Sequence, residues 1–181
     1  MKTAIFLERD GILNLVRVER QHQAVPQVAE EFMVNPEVGP LLQKLKAAGF
    51  VLIATTNQPG LSLGDVSRRE LDRMHDLLRR TLPLDDILVC PHDKSDMCSC
   101  RKPRPGLFKE ASFKFHLDME RSFVISDKWQ DAQAAREVGC TSLLLNSPWI
   151  GSGHHDFVLN SLAEIVGKIL KLHDGDRSLA A

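Results

Sequence analysis

The sequence predicts an α/β fold, a doubly wound three-layer sandwich with a mostly parallel sheet covered by helices on both faces. Three observations predict it. Short apolar runs alternate along the chain with stretches whose apolar residues recur at helical spacing. Polar clusters follow the strands rather than falling at random: Glu8 and Asp10, Thr56 and Asn57, and Asp127 and Asp131 each come directly after an apolar run, where ligands bind in such sheets. Finally, 181 residues, 43% of them apolar and 26% charged, suffice for one substantial core and are too few to promise two.

In chain order, residues 3–7 (TAIFL) form a β-compatible run that ends abruptly in the polar, turn-forming ERDG. Residues 15–35 have no clear period. Residues 36–48 place Val38, Leu41, Leu42 and Leu45 at helical spacing before Gly49, a helix stop, and residues 50–54 read as a buried strand. Ser67 and Glu70 have the S-x-x-E form of a capping box, and Leu71, Met74, Leu77 and Leu78 continue it as one helix face. A short strand at 87–89 runs into a cysteine-bearing loop, Pro105 opens a helix to about His116, and 122–125 is the next strand. A helix over 128–138, a strand over 141–145 and a closing amphipathic helix over 157–172 complete the pattern. A single domain over 1–173 is expected, with 174–181 a flexible tail. The segments between the polar clusters are too short for a separate cap domain, so an open site is expected, with specificity set by the loops at 15–35, 59–66 and 90–100.

Charge narrows the partners. Lys and Arg number 23 against 24 Asp and Glu, a formal net charge of −1, so no field gathers nucleic acid or an anionic membrane. Neither partner is expected. No apolar stretch is long enough to span a bilayer, and the first apolar run is broken by Glu8, Arg9 and Asp10; a cytoplasmic protein is expected, as a monomer. Of four cysteines, Cys90, Cys98 and Cys100 crowd one loop and Cys140 stands alone, which suits metal binding in a reducing compartment better than a disulfide framework.

With His92, that loop offers three thiolates and an imidazole, a closed set for four-coordinate structural Zn²⁺. Its expected role is to order the loop and place Arg101 and Lys102. Cys140 reads as a small buried side chain, Trp129 and Trp149 as packing or rim residues, and His154-His155 as a polar loop pair rather than a ligand site. At the strand ends, two or three converging carboxylates suggest Mg²⁺, a hard cation that takes oxygen ligands and keeps waters for a phosphate to displace. Donors at Thr56 and Asn57, with the Arg101-Lys102 cations, complete a set able to hold a phosphoryl group and neutralise its transition-state charge.

Residues 6–14 (FLERDGILN) resemble the first motif of the haloacid dehalogenase-type phosphatases, whose usual form is D-x-D-G-x-x-N, and 56–60 (TNQPG) resemble the second. Residues 100–106 (CRKPRPG) and 126–131 (SDKWQD) are similar to the lysine motif and the G-D-K-x-x-D motif. With the cysteine loop, the set resembles the heptose-bisphosphate and histidinol phosphatase subgroup. The resemblance implies a Mg²⁺-dependent hydrolase of a small phosphorylated metabolite, with a sugar phosphate favoured and a place in carbohydrate metabolism. It implies that Glu8 attacks phosphorus, that Asp10 is general acid and base, and that Thr56 and Lys102 hold the phosphoryl oxygens. Arg101 would contact substrate; Asn57 would either contact substrate or satisfy loop backbone. Glu8, Asp10 and Asp127 would hold Mg²⁺, with Asp131 supporting them, and Thr55 would be a structural strand end. Two positions depart from the pattern: Glu8 stands where the family has Asp, one methylene longer, and Ser126 where it has Gly. The departure at Glu8 leaves a rival reading, a catalytically silent relative that binds phosphorylated metabolites or a protein partner.

Overall fold

The computed structural model describes residues 1–19, 22–153 and 155–179, with the side chains of 176–179 excepted; His154 of the expected polar pair lies outside the described residues. The chain begins with β1 (Ala4–Glu8) and then folds residues 9–37 into two small antiparallel pairs. In these, β2 (Asn14–Leu15) pairs with β5 (Met33–Val34), and β3 (Arg17–Glu19) with β4 (His22–Ala24). Strands of two or three residues are too short to show an alternation, which is why this stretch has no period in the sequence. There follow α1 (Val38–Ala47), β6 (Val51–Asn57), the short α2 (Gly60–Leu63), α3 (Arg68–Thr81), β7 (Asp86–Cys90) and α4 (Gly106–Phe115). The chain closes with β8 (Phe123–Ser126), α5 (Trp129–Val138), β9 (Thr141–Leu145), β10 (Phe157–Leu159) and α6 (Leu162–Leu179).

Among the described residues the main sheet has six strands in the order β10-β9-β8-β1-β6-β7, all parallel. The inner strands alternate their side chains between two cores, as the period of two in a pleated strand requires. Ile5, Leu7, Leu52, Ala54, Ile125 and Leu143 face α1, α3 and α6, where Leu45, Leu71, Met74, Leu78, Ile165 and Ile169 meet them. Ala4, Phe6, Val51, Ile53 and Val124 face the opposite way onto Leu107, Phe108 and Ala111 of α4 and Ala134 and Ala135 of α5. Both faces are buried, which is why the strands read as continuous apolar runs. No helix among the described residues is long and apolar enough to cross a membrane.

Two boundaries differ from the sequence reading. Phe157–Leu159, expected to open the last helix, pairs with Leu143–Leu145 and extends the sheet. The helix begins after Ser161, whose Oγ accepts from Glu164 N at 3.2 Å, while the Glu164 carboxylate accepts from Asn160 N at 3.0 Å. The capping signal S-x-x-E was therefore present in residues 161–164. The helix also runs on to Leu179, so residues 174–179, expected as tail, are helical. At α3 the capping box is half formed: Ser67 Oγ accepts from Glu70 N, but the Glu70 carboxylate accepts from Ala29 N at 2.7 Å and ties down the segment before α1.

On α4, Phe108 is fully buried edge-on against Phe6, with ring centroids 4.7 Å apart, and Phe113 is 85% exposed. Phe108→Ala should cost about 3–5 kcal/mol in urea unfolding, and Phe113→Ala less than about 0.5 kcal/mol.

Candidate active site

The order of the strands places the site. Strand β1 lies between β6 and β8, so the chain leaves its carboxyl end toward opposite sides and opens a crevice there, the usual ligand position in such sheets. Glu8 ends β1, Asn57 ends β6 and Asp127 follows β8. Glu8 is 4% exposed. Its Oε1 accepts from the backbone N–H groups of Arg9 at 2.8 Å and Asp10 at 3.2 Å, and its Oε2 accepts from Lys102 Nζ at 2.5 Å. Burial opposes the charge of this carboxylate, but the ammonium groups of Lys102 and Lys128 and the hydrogen bonds prevail and hold its pKa at about 2.

Lys102 is the hub. Its ammonium donates to Glu8 Oε2, to Asp131 Oδ1 at 2.5 Å and to the Thr55 carbonyl at 2.8 Å, which uses all three of its protons. Burial disfavours the charge, but Asp131 and Glu8 raise its pKa above the ordinary lysine range. Asp131, in the first turn of α5, is pushed up to about 7 by burial, with Lys102 offsetting part of the effect and the Glu8 charge adding to it. Its second oxygen, Oδ2, is buried without a partner. Asn57 fixes the lysine from behind: its Oδ1 accepts from Lys102 N and its Nδ2 donates to Lys102 O, both at 3.0 Å. Asn57 thus satisfies loop backbone, one of the two roles open for it in the sequence.

Asp10 faces a different set of partners. Arg9 Nη2 donates to Asp10 Oδ1 at 2.9 Å and Oδ2 at 3.0 Å, and Arg9 Nε donates to Oδ1 at 3.2 Å. Gln58 Nε2 donates both to Asp10 Oδ2 at 2.7 Å and to Thr56 Oγ1 at 2.8 Å, joining the two motif residues. Sequence reasoning missed both Arg9 and Gln58; their signal was adjacency to the motif residues, since each is one or two positions from the group it binds.

Among the oxygens that could hold a divalent cation are the Asp10 carbonyl and the Asp127 carboxylate. Both accept from the ammonium of Lys128, with Asp127 Oδ1 at 2.6 Å. A cation thus already marks the point where these hard oxygens meet, with the partnerless Asp131 Oδ2 buried in the same site, and this donor chemistry fits Mg²⁺. The Glu8, Asp127 and Asp131 carboxylates, expected near the Asp10 carbonyl, are held by two different ammonium groups. Glu8 and Asp131 are drawn to Lys102 and the Asp10 carboxylate to Arg9, so among the described residues only the cysteine loop brings three or more ligand-type side chains together. Asp127 Oδ2 accepts from Gln23 of β4, which brings the small hairpin over the site, and the Asp127 carbonyl accepts from Ser147 Oγ at 2.6 Å. Arg101 and Trp129 line two adjoining cavities, of about 380 and 740 Å³. Both tryptophans border the larger one, and Trp129 is 37% exposed, so the rim is its place.

In the loop after β7, Cys90, His92, Cys98 and Cys100 bring their ligand atoms within 4.8 Å of one another. The sulfurs are 3.2–3.6 Å apart and His92 Nδ1 is 3.3 Å from Cys100 Sγ. Tetrahedral zinc thiolate, with bonds of about 2.3 Å, sets sulfurs about 3.8 Å apart, so the group could hold a metal ion. The cysteines are free thiols. Arg101 Nη1 donates to the His92 carbonyl at 3.0 Å and Arg104 to the Cys98 carbonyl, which couples the loop to the rim of the site. Cys140 is buried, as expected.

A HAD-hydrolase-like family model matches residues 99–165. A D-glycero-beta-D-manno-heptose-1,7-bisphosphate 7-phosphatase of Escherichia coli O6:H1 is 34% identical over 93% of this chain and 94% of its own length. The corresponding protein of Haemophilus ducreyi is 32% identical over 91% and 97%. Among solved structures, a D,D-heptose 1,7-bisphosphate phosphatase from B. bronchiseptica, complexed with magnesium and phosphate, superposes with a TM-score of 0.79 at 28% identity, covering 94% of this chain and 99% of that one. The chain belongs to the phosphatases of the haloacid dehalogenase superfamily.

Gly11, in the loop between Glu8 and Asp127, has a φ of +98°, and a Cβ there would lie 2.4 Å from Asp127 Oδ2. Gly49 has a similar φ of +95° with open space around it. Gly11→Ala should therefore cost about 1–3 kcal/mol more than Gly49→Ala in equilibrium unfolding, the difference being the steric part alone.

Proposed function

We propose that this chain hydrolyses a small phosphomonoester, a phosphorylated heptose by preference, through a phospho-carboxylate intermediate on Glu8. The observation that supports the reading is the buried Lys102 ammonium joining Glu8 and Asp131 at the crevice beside β1, in a chain 34% identical to a heptose-bisphosphate phosphatase. Glu8 is ionised and supplies the attacking oxygen. Lys102 and Thr56 hold the phosphoryl oxygens, the lysine exchanging one of its three present bonds for a substrate oxygen. Asp10 protonates the leaving alkoxide and then takes a proton from the water that cleaves the intermediate. Mg²⁺ would be held by Glu8, the Asp10 carbonyl and Asp127, with Asp131 behind, and when bound it supplies neutralisation of phosphoryl charge. The rim cavities beside Arg101, Trp129 and Trp149 leave room for the sugar.

The reading places the enzyme in the cytoplasm, where thiolates stay reduced, and assigns structural zinc to the cysteine loop. Metal analysis of protein prepared without chelators should find about one zinc per chain, and Cys98→Ser should lose it together with loop order while the sheet persists. Zinc-free protein with an ordered loop would overturn the assignment.

One observation favours the rival reading of a silent relative: both Glu8 oxygens are engaged, one by backbone N–H groups and one by Lys102. Steady-state kinetics on sugar phosphates, with Mg²⁺ and with EDTA, separate the two. Turnover should be slow and metal-dependent, and Glu8→Asp should raise kcat by about 10-fold or more, since misplacement by about 1 Å can cost on the order of 10²-fold. Glu8→Gln should abolish turnover. If Glu8→Asp is as inert as Glu8→Gln, the silent reading is the better one.

A further inference from the structure

Among the described residues Arg9 is the largest side chain with no exposed surface, a full charge in the interior. Such a charge is costly unless every donor is matched. Two of its nitrogens go to Asp10, and its Nη1 lies 3.2 Å from Nε2 of His75, while the Phe32 ring sits with its centroid 5.4 Å from the guanidinium carbon. His75 is on the core face of α3, between the buried Met74 and Leu78, and is 3% exposed. No sequence motif includes it.

The chemistry of this contact has one solution. A guanidinium has donors only, so the contact is a hydrogen bond only if His75 Nε2 carries the lone pair and Nδ1 the proton. Protonation would set two cations against each other in the interior. Burial, and then the charges of Arg9, Arg79 and Arg68, hold the imidazole pKa down at about 3, so the acceptor persists at any working pH. A run of directed bonds therefore leads from α3 to the reacting group: His75 orients Arg9, the Arg9 fork sets the plane of the Asp10 carboxylate, and Gln58 links that carboxylate to Thr56.

We propose that His75 is a positioning residue for Asp10, acting through Arg9. The inference rests on the reading of Asp10 as the proton-transfer group. A residue that only filled the core could be replaced by any apolar side chain of similar volume. A positioning residue needs an acceptor at the Nε2 position, which glutamine can offer and methionine cannot.

The test is kinetics of the wild type, His75→Met, His75→Gln and Asp10→Asn on the best sugar phosphate, with ¹⁵N NMR of the histidines. His75→Met should lower kcat by about 10-fold, with KM within about twofold, because it disturbs orientation and not substrate binding. His75→Gln should recover most of that loss. In the wild type, the His75 ring should show a protonated Nδ1 and a bare Nε2, a signature that does not depend on turnover. Unchanged kcat in His75→Met, no recovery in His75→Gln, or a protonated Nε2 would each overturn the inference. Should His75→Met fail to fold, Arg9→Lys decides the matter: it keeps the charge but loses the fork, so the same fall in kcat supports the inference and wild-type kcat refutes it. Wild-type kcat in Asp10→Asn would instead overturn the reading of Asp10, and the inference with it.

Discussion

The site is built around one buried ammonium. Lys102 is 2% exposed and bonds two carboxylates and a carbonyl that come from three elements, β1, β6 and α5. Such an ammonium is tolerated in the interior only because each proton has an acceptor, and those acceptors in turn are placed by the parallel sheet. The register that sets Glu8 beside Thr55 brings a carboxylate and a carbonyl to the same ammonium. Asn57 then fixes the lysine backbone, and the loop that carries it is bonded to the cysteine cluster through Arg101. Any change that displaced Lys102 would leave Glu8 and Asp131 buried without their cation, so the geometry of the site and the packing of the strand ends stand or fall together.

The longer side chain at position 8 acts through the same hub. A carboxylate one methylene farther out reaches back to the N–H groups of its own loop and forward to Lys102 at once. These bonds favour the ionised form strongly despite burial, and a well-bonded anion is a stable one. A nucleophile stabilised in its ground state has more to lose on attack. Under the proposed role of Glu8 as nucleophile, the extra reach bears on catalysis through the partners Glu8 acquires as much as through the position of its oxygens.

Much of this was legible in the sequence, for identifiable reasons. Strands buried on both faces write themselves as apolar runs, so β1, β6, β8 and β9 were visible, and the residues after them were visible because function sits at strand ends. The cysteine loop was legible from spacing alone. What was not legible is who bonds whom. Arg9 reads as one more charge in a polar turn, and only the fold shows that it points inward to Asp10 and His75. Gln23 carries no pattern and Gln58 only its place beside Thr56, since an amide becomes a site residue only when the chain sets an acceptor before it. The strand at 157–159 failed for another cause: Phe157, Val158 and Leu159 suit either period over so short a run, and the capping residues at 161 and 164 were the deciding signal.

The charges of the site limit what it can take up. Four carboxylates, Glu8, Asp10, Asp127 and Asp131, are each at most 4% exposed, and they face three fixed or tethered cations, Arg9, Lys102 and Lys128. Each cation is already paired, so a phosphate entering this ensemble meets acceptors that repel it and donors already in use. With the Asp131 carboxyl pushed up to about 7, a proton there offsets part of the excess near neutrality, but a phosphate dianion adds more negative charge than one proton removes. The remaining imbalance is what a divalent cation between the Asp10 carbonyl and Asp127 would neutralise, while freeing the Lys128 ammonium that those oxygens now hold. Under the proposed function, cation and phosphate would enter an energetically coupled site, the affinity for either depending on the presence of the other.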